Sequence, residues 1–393
     1  MNRSIVAIVK TASKPTAQEV ETAVREAVLL AGGLGECAGW GKRVLIKPNL
    51  VALARTRYSG ATTNVDVVKA VADLVRESGA RSVIAESSAV GVDTEKVIEF
   101  EKYSELRAQG YEVVDLKREP KVHLRIPGGK VLKEISTFKL VLGVDAVISV
   151  PVMKTHDQAE ITVALKNLKG LAHDLSKRKM HQTGVLEGVP DLASALPPCF
   201  AVVDGTYCQE GMGPIFGSPV EMDLILASPD LVAADAVAGK IMGYEPSEVP
   251  ITVNAAARGL GVADLALIDV LGCPIADVAR RFKRASEDTI CVPGLRIVFR
   301  PGTCTGCHNT VFSAIAEIEA DGQLARLKGK AIVAGTMDET DIPTGVKPED
   351  LILVGLCTRK FKDRGKYVEG CPPSNIWIAE TAVGGPVKSR IFV

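Results

Sequence analysis

The sequence predicts an α/β protein, with a large, mostly parallel layered domain followed by a smaller one. Two patterns carry that expectation. Short runs rich in Val, Ile and Ala alternate with longer stretches whose apolar residues recur every three or four positions, as strands alternate with helices. Charge then rises over residues 275–293, and Pro293-Gly294 follows before a new α/β pattern begins. The expected domains are therefore residues 1–280 and 290–393. A chain of 393 residues suits two or three domains and can bury a core that needs no disulfides.

Residues 4–10 read as the first strand. Residues 17–31 read as a helix through Val20, Ala23, Val24, Ala27, Val28 and Leu30. Val44-Leu45-Ile46 is a buried strand leading into Lys47-Pro48-Asn49, and 64–78 is an amphipathic helix. Strands follow at 82–85 and 111–115, and a hairpin over 122–132 turns at Pro127-Gly128-Gly129. Residues 145–150 form a buried strand that runs into Pro151-Val152-Met153-Lys154-Thr155-His156. Residues 161–171 read as a helix, 200–204 as a strand ending at Asp204, and the Gly- and Pro-rich 205–219 as a loop. After a strand at 223–227, Ser228-Pro229-Asp230 opens a helix that stops at Gly243. A helix at 246–260 and a strand at 265–270 end the large domain. The second domain should hold strands at 295–299, 330–333 and 351–354, with helices at 308–320 and 374–382.

Lys+Arg and Asp+Glu both number 47, so the formal charge is zero. That argues against nucleic acid or an anionic membrane as the main partner, since both demand clustered positive charge. The N-terminal apolar run is too short for a signal peptide, and no stretch reaches the roughly 18 apolar residues of a membrane helix. A cytoplasmic location is expected, where thiols stay reduced. Nine cysteines in that setting point to metal or redox use for some of them.

Four of the nine stand out. Cys304 and Cys307 form a Cys-x-x-Cys step between a strand and a helix, Cys357 follows a strand, and Cys371 precedes Pro372-Pro373. Strand ends of an open parallel sheet point to one edge, so these thiols can converge. Soft thiolates in fours hold zinc or an iron–sulfur cluster. Structural zinc usually takes two close pairs, whereas here one pair is joined by two cysteines 14 positions apart. The arrangement resembles the cluster domain of nickel–iron hydrogenase small subunits and the related quinone-reductase subunit of respiratory complex I, over about residues 294–393. That resemblance implies a flavodoxin-like domain in which Cys304, Cys307, Cys357 and Cys371 ligate one 4Fe–4S cluster, and it fits an anaerobic setting. The rest of the chain is not hydrogenase-like.

The large domain carries a polar rim. Lys47, Lys154 and His156 follow buried strands at the expected carboxyl edge of the sheet, Lys166 and Lys169 are three apart on a helix, and Asp204 ends a strand. Such a rim suits an anionic substrate, a carboxylate or phosphate ester. Gly211, Gly213 and Gly217 would let backbone approach a ligand. Lys177, Arg178 and Lys179 read as a solvated charged face, and Asp235 as a partner for a neighbouring backbone group. Residues 1–275 resemble the family called domain of unknown function 362. The likeness lies in Lys47-Pro48-Asn49, residues 151–156 and 165–170, Val203-Asp204-Gly205, residues 210–217 and Ala234-Asp235-Ala236. The family implies little chemistry, though members often carry a ferredoxin-like cluster segment. The ten-residue spacing from His156 to Lys166, with His181 farther on, also looks like the cofactor segment of nickel-dependent lactate racemases. That would make Lys166 an attachment site for a nickel pincer nucleotide and His156 a nickel ligand. No histidine precedes His123, and the likeness is taken as kinship of fold.

The function expected is an iron–sulfur reductase. The C-terminal cluster would pass electrons to a small anionic substrate bound through Lys47, Asn49, Lys169 and Glu210. Lys154, His156, Lys166 and Asp204 would form the catalytic group, with His156 as general acid. No Gly-x-Gly-x-x-Gly or Walker pattern is present, so electrons should come from a redox partner protein such as ferredoxin. The alternatives are an electron carrier or cluster-assembly factor, and a racemase-like enzyme with a structural cluster. A homo-oligomer stays open. One geometric expectation follows: Lys47, Lys154, His156, Lys166 and Asp204 should line one cleft facing the cluster domain.

Overall fold

The computed structural model describes residues 3–388 apart from Arg55, Pro198, Thr289, Pro301 and Gly302, so the outer ends of both expected domains lie outside the described residues. The large unit contributes β1 (Ser4–Lys10), β2 (Arg43–Pro48), β3 (Arg81–Glu86), β4 (Glu112–Asp115), β5 (Lys121–Arg125), β6 (Glu134–Phe138), β7 (Ala146–Val150), β8 (Val152–His156), β9 (Glu160–Thr162), β10 (Cys199–Glu210), β11 (Ser218–Ser228) and β12 (Ile268–Gly272). Ten of them form one sheet, in the order β12-β1-β11-β10-β7-β2-β3-β4, with β8 beside the far half of β10 and β9 beside β8. The run from β10 through β7, β2 and β3 to β4 is parallel, while β11 is antiparallel to both its neighbours. The hairpin expected at 122–132 forms from β5 and β6, and its turn is wider, spanning residues 126–133.

Helices cover both faces of the sheet. Helix Ala17–Leu30 begins at a capping box in which Thr16 and Glu19 bond each other's backbone. It buries Val20, Ala23, Val24, Ala27 and Val28 on one face, beside helix Val65–Glu77. The opposite face is packed by helix Leu231–Ile241, whose first turn is capped by the Asp230 carboxylate, and by helix Val185–Ala193. Strand β7 is buried at every position, as a central parallel strand covered on both faces must be.

The helix expected over 246–260 is a turn Pro246–Glu248 and a shorter helix Pro250–Ala256, and the strand expected over 265–270 begins only at Ile268, as β12. Two other expected elements differ more. Residues 205–219 are not one loop: β10 runs on to Glu210 through an irregularity between Gly205 and Tyr207, and β11 starts at Ser218. Residues 161–171 are not one helix. They hold β9, a four-residue helix Ala164–Asn167 and a tight turn Leu168–Leu171. Ile161, Val163, Ala164, Leu165 and Leu168 are all buried, and with most of the segment buried there is little period from which to tell strand from helix.

The second unit is a four-stranded parallel sheet of β13 (Arg296–Phe299), β14 (Ala331–Ala334), β15 (Leu351–Val354) and β16 (Lys366–Val368). Its order is sequential, so β13 lies at an edge, unlike the 2-1-3-4-5 order of flavodoxin. Helices Thr305–Ala320 and Asn375–Val383 pack against each other and share a core. The charged connector is pinned to the large unit. The Gly211 N–H donates to the Lys283 carbonyl at 2.7 Å, the Met212 N–H to Asp288 at 2.8 Å, and Arg284 pairs with Glu248 at 2.7 Å. Among the described residues no helix is long and apolar enough to cross a membrane.

Candidate functional site

The site is built where β2 and β3 end side by side. Lys47 on β2 donates to Glu86 on β3 at 2.6 Å and to the Pro48 carbonyl at 2.7 Å, and its side chain is 1% exposed. Glu86 also accepts the Leu50 and Ser87 N–H groups at 2.9 and 2.7 Å. Burial lowers the Lys47 ammonium from its ordinary range, and Glu86 opposes that. Asn167 donates to the Lys47 carbonyl at 2.8 Å and accepts from Asn49 at 3.2 Å. The turn after it presses closely on the ion pair. A methyl group at Gly170 would stand 2.1 Å from Glu86 Oε1 and 2.6 Å from Lys47 Nζ, so it would push the ends of both ion-pair side chains out of place.

Lys154, on β8, is fully buried and donates to Asn49 at 3.1 Å, to the Pro214 carbonyl at 3.2 Å and to the Ala61 carbonyl. Burial holds its ammonium well below the usual range. It is therefore a structural tie as well as part of the cavity wall, not the exposed lysine that a strand-end position suggests. At the end of the same strand, His156 Nδ1 accepts the Gln158 N–H at 3.0 Å, which places the proton of the neutral ring on Nε2. Asp157 Oδ1 lies 2.8 Å from that Nδ1. Burial keeps His156 well below its ordinary pKa, and Lys166, Lys169 and Lys154 add to the effect. Asp157 moves the other way. Burial raises its carboxyl to about 6, against the Ser313 hydroxyl bond and the charge of Lys166.

That shift has a sign that can be checked. The folded protein binds the Asp157 proton more tightly than the unfolded chain does. The stability gained from it is present below about pH 4 and lost as pH rises through about 6. Asp157→Asn should remove this part of the pH dependence, visible as a flatter plot of urea midpoint against pH over that window. An unchanged slope would place the titration elsewhere.

The remaining cations come from residues 164–183. Lys169 Nζ lies 2.6 Å from His181 Nε2. Lys177 is buried and donates to the Ser87 and Ser88 carbonyls, both at 2.7 Å, and burial lowers it to about 8. Lys166 is different: among the described residues its ammonium has no hydrogen-bond partner, and the opposite charge acting on it is that of Asp157. Burial lowers Lys166 to about 8.

These groups line a cavity of about 420 Å³, within the range of small-molecule sites. One wall is the large unit, with Lys47, Asn49, Glu86, Lys154, His156, Asp157, Lys166, Lys169, Lys177, Arg178 and His181. The other belongs to the second unit, with Ser313 and Glu317 from helix Thr305–Ala320, and Ser374, Asn375, Trp377 and Glu380 from helix Asn375–Val383 and its N-cap. Six lysine and arginine side chains face four carboxylates, so the lining favours an anion.

The cysteines stand behind that second wall. Cys304 is the N-cap of the sixteen-residue helix, and Cys307 lies in its first turn, where the helix dipole favours thiolate. The Cys307 thiol and the Gly306 and Cys307 N–H groups hold Cys304 down to about 6, while that same bond and burial push Cys307 up. A methyl group at Gly355, two residues before Cys357, would stand 3.1 Å from Cys307 Sγ, and one at Gly306 would stand 3.3 Å from Pro372. Burial raises Cys371, and the charges of Cys304 and Cys357 raise it further. The loops carrying the four thiols thus meet, and the donor set of four soft sulfurs suits iron or zinc. Among the described residues, no group of three or more His, Cys, Asp or Glu side chains is already spaced to hold a metal ion.

Two expected site residues stand elsewhere. Asp204 is buried outside the cavity and accepts from the Asn64 N–H at 2.7 Å and from the Thr206 N–H and hydroxyl at 2.9 and 2.6 Å. Glu210 pairs with Arg280 at 3.3 Å and accepts the Lys283 N–H at 3.0 Å, which ties down the connector. Gly213 and Gly217 pack on the Thr155 and Glu210 carbonyls, and Gly211 on the Asp288 side chain, rather than opening onto a ligand. Lys177 is a buried tie, whereas Arg178 and Lys179 are exposed as expected. Asp235 accepts the Leu165 N–H at 3.3 Å, the backbone role expected of it. Glu86 and Asp157 are charged groups of the candidate site that the sequence reading did not single out. Glu86 ends a strand as Lys47 does, and Asp157 adjoins His156, so both signals were present in the chain.

Residues 44–240 match the family described as Domain of unknown function (DUF362), and the chain belongs to that family. A thylakoid-associated protein of Synechocystis sp., sll1697, is 32% identical over 243 residues, which cover 59% of this chain and 72% of that one. Among solved structures, a Thermotoga maritima protein is similar with a TM-score of 0.34 and 13% identity, over 56% of this chain and 57% of that one, so the chain spans little more than half of it. The lactate racemase apoprotein from Thermoanaerobacterium thermosaccharolyticum is similar with a TM-score of 0.36 and 12% identity, over 100% of this chain and 94% of that one. Neither likeness is close enough to carry chemistry across.

Proposed function

We propose that this protein is an iron–sulfur reductase of a small anionic substrate, with Cys304, Cys307, Cys357 and Cys371 holding one 4Fe–4S cluster. One observation supports it above the others. The Cys371 N–H donates to the His181 carbonyl at 2.8 Å and the Val185 N–H to the Cys371 carbonyl at 3.3 Å, so a thiol loop is bonded to the helix that puts His181 into the cavity. The helix that begins at Cys304 likewise supplies Ser313 and Glu317 to the cavity wall. When bound, the cluster supplies electrons one at a time. The protein's own residues do the rest. Lys169 and Arg178 attract the carboxylate or phosphate of the substrate, the second unit excludes water, and the His156–Asp157 pair delivers a proton from a dry site. A ferredoxin-like partner is the proposed electron source.

The test uses the anaerobic protein reduced with dithionite and freed of excess reductant. Addition of the right member of a panel of oxo- and enoyl-carboxylates should restore the oxidised visible spectrum within turnover times. His156→Gln should slow that step and leave the starting spectrum intact. A spectrum that no anion changes, together with no anion binding by calorimetry, would leave the electron-carrier reading in its place.

A further inference from the structure

Five lysines line the cavity, and four of them are engaged. Lys47 is held by Glu86 and the Pro48 carbonyl. Lys154 is held by Asn49 and two carbonyls. Lys177 is held by the Ser87 and Ser88 carbonyls, and Lys169 by His181. Lys166 alone has no hydrogen-bond partner among the described residues, although it is only partly exposed and lies in the cavity wall. An amine tied by three acceptors, as those of Lys47, Lys154 and Lys177 are, has its hydrogens committed and cannot turn its lone pair to a substrate, and the Lys169 amine is directed at His181. An amine that is only partly exposed, lies beside other cations and has no hydrogen-bond partner is the arrangement that makes lysine a nucleophile.

We infer that Lys166 condenses with the carbonyl carbon of a small oxo-carboxylate held in the cavity, forming an imine. The inference rests on the reading of the cavity as an anion site, and not on electron delivery through the thiols. Its balance is simple. The neutral nitrogen forms a bond to the carbonyl carbon, and the π pair moves to oxygen, which takes a proton. The nitrogen then gives up a proton, the hydroxyl leaves as water with a proton supplied to it, and a protonated carbon–nitrogen double bond remains. Nothing is oxidised or reduced, and water is the only product released. Asp157 is the acid and base suited to these three proton movements. Its charge acts on Lys166, and its carboxyl, raised to about 6, holds and releases a proton near neutrality. The cationic excess of the lining explains why the carbonyl compound should carry a carboxylate.

Trapping tests this directly. The full-length protein is incubated with glyoxylate and sodium cyanoborohydride, which reduces an imine to a stable secondary amine, and is then mapped by peptide mass. One adduct is expected, on Lys166, with a yield that rises as pH rises through about 8 and the neutral amine becomes the main form. Acetaldehyde, which lacks the carboxylate, should label at least about tenfold less at equal concentration. Lys166→Arg keeps the charge and should lose the adduct, and Lys166→Met repeats the test if the larger arginine disturbs folding. Absence of label, label on another cavity lysine, or an adduct that survives both substitutions would overturn the inference. Equal labelling by acetaldehyde would overturn its oxo-carboxylate part. Inorganic phosphate binding, followed separately by calorimetry, reports on the anion site without a carbonyl, so failure of that site and failure of the imine are told apart.

Discussion

Lys47→Met should lower the free energy of unfolding by about 4 kcal/mol, because it leaves one member of a buried ion pair behind. Glu86 would keep two backbone N–H donors, from Leu50 and Ser87, and lose its counter-charge in a site where its side chain is only 4% exposed. The Pro48 carbonyl would lose a donor as well. Urea unfolding of the variant gives the measurement. The companion experiment is the double variant Lys47→Met with Glu86→Leu, which removes both charges and should recover much of the loss, since paired apolar replacement of a buried ion pair is often tolerated. A single-variant cost below about 1 kcal/mol, the range of surface pairs, would mean that the pair is solvated in solution. Gly170→Ala should mimic the defect without touching a charge, because the added methyl group meets Glu86 Oε1 at 2.1 Å.

The same pair shows what the sequence could and could not say. Lys47 was legible, because a charge placed at the end of a buried apolar strand needs a reason. Its partner was not, since Glu86 lies 39 positions away and only the adjacency of β2 and β3 brings them together. Helices with a clear apolar period came out nearly whole, as Ala17–Leu30 and Val65–Glu77 did. The segment from Glu160 to Leu171 did not, because all of it but Lys166, Lys169 and Gly170 is buried, which blurs the period. Asp204 misled for a topological reason. Strand-end logic assumes that the chain leaves the sheet there, but β10 continues past Asp204 to pair with β8 and β11. Its carboxylate is spent on the backbone of Asn64 and Thr206. Lys177 misled because a polar helix is usually solvated. Its partners, the Ser87 and Ser88 carbonyls, sit 90 and 89 positions upstream and leave no local trace.

The second large effect should be complete rather than graded: Cys371→Ala should abolish the colour of the anaerobic protein. The proposed cluster predicts a brown protein with a broad visible band that dithionite bleaches. Cys371 lies where two requirements meet. Its sulfur is one of four candidate ligands, and its main chain bonds the His181 carbonyl and the Val185 N–H. Alanine keeps those backbone bonds and removes only the sulfur. The structural cost of the smaller side chain should therefore be about 1 kcal/mol, too little to unfold the protein. Colour and fold separate in that variant, and a thermal melt shows it. Cys304→Ala should act alike, because it removes the thiol whose low pKa makes it a ready thiolate at the helix N-terminus. Cys273→Ala is the control. That thiol packs beside the core of the large unit, and its loss should leave the spectrum unchanged. Colourless anaerobic protein with one equivalent of zinc, or a Cys371→Ala variant that stays brown, would end the reductase reading. The basic cavity would then need a function in which no electron passes through its thiol-bearing wall.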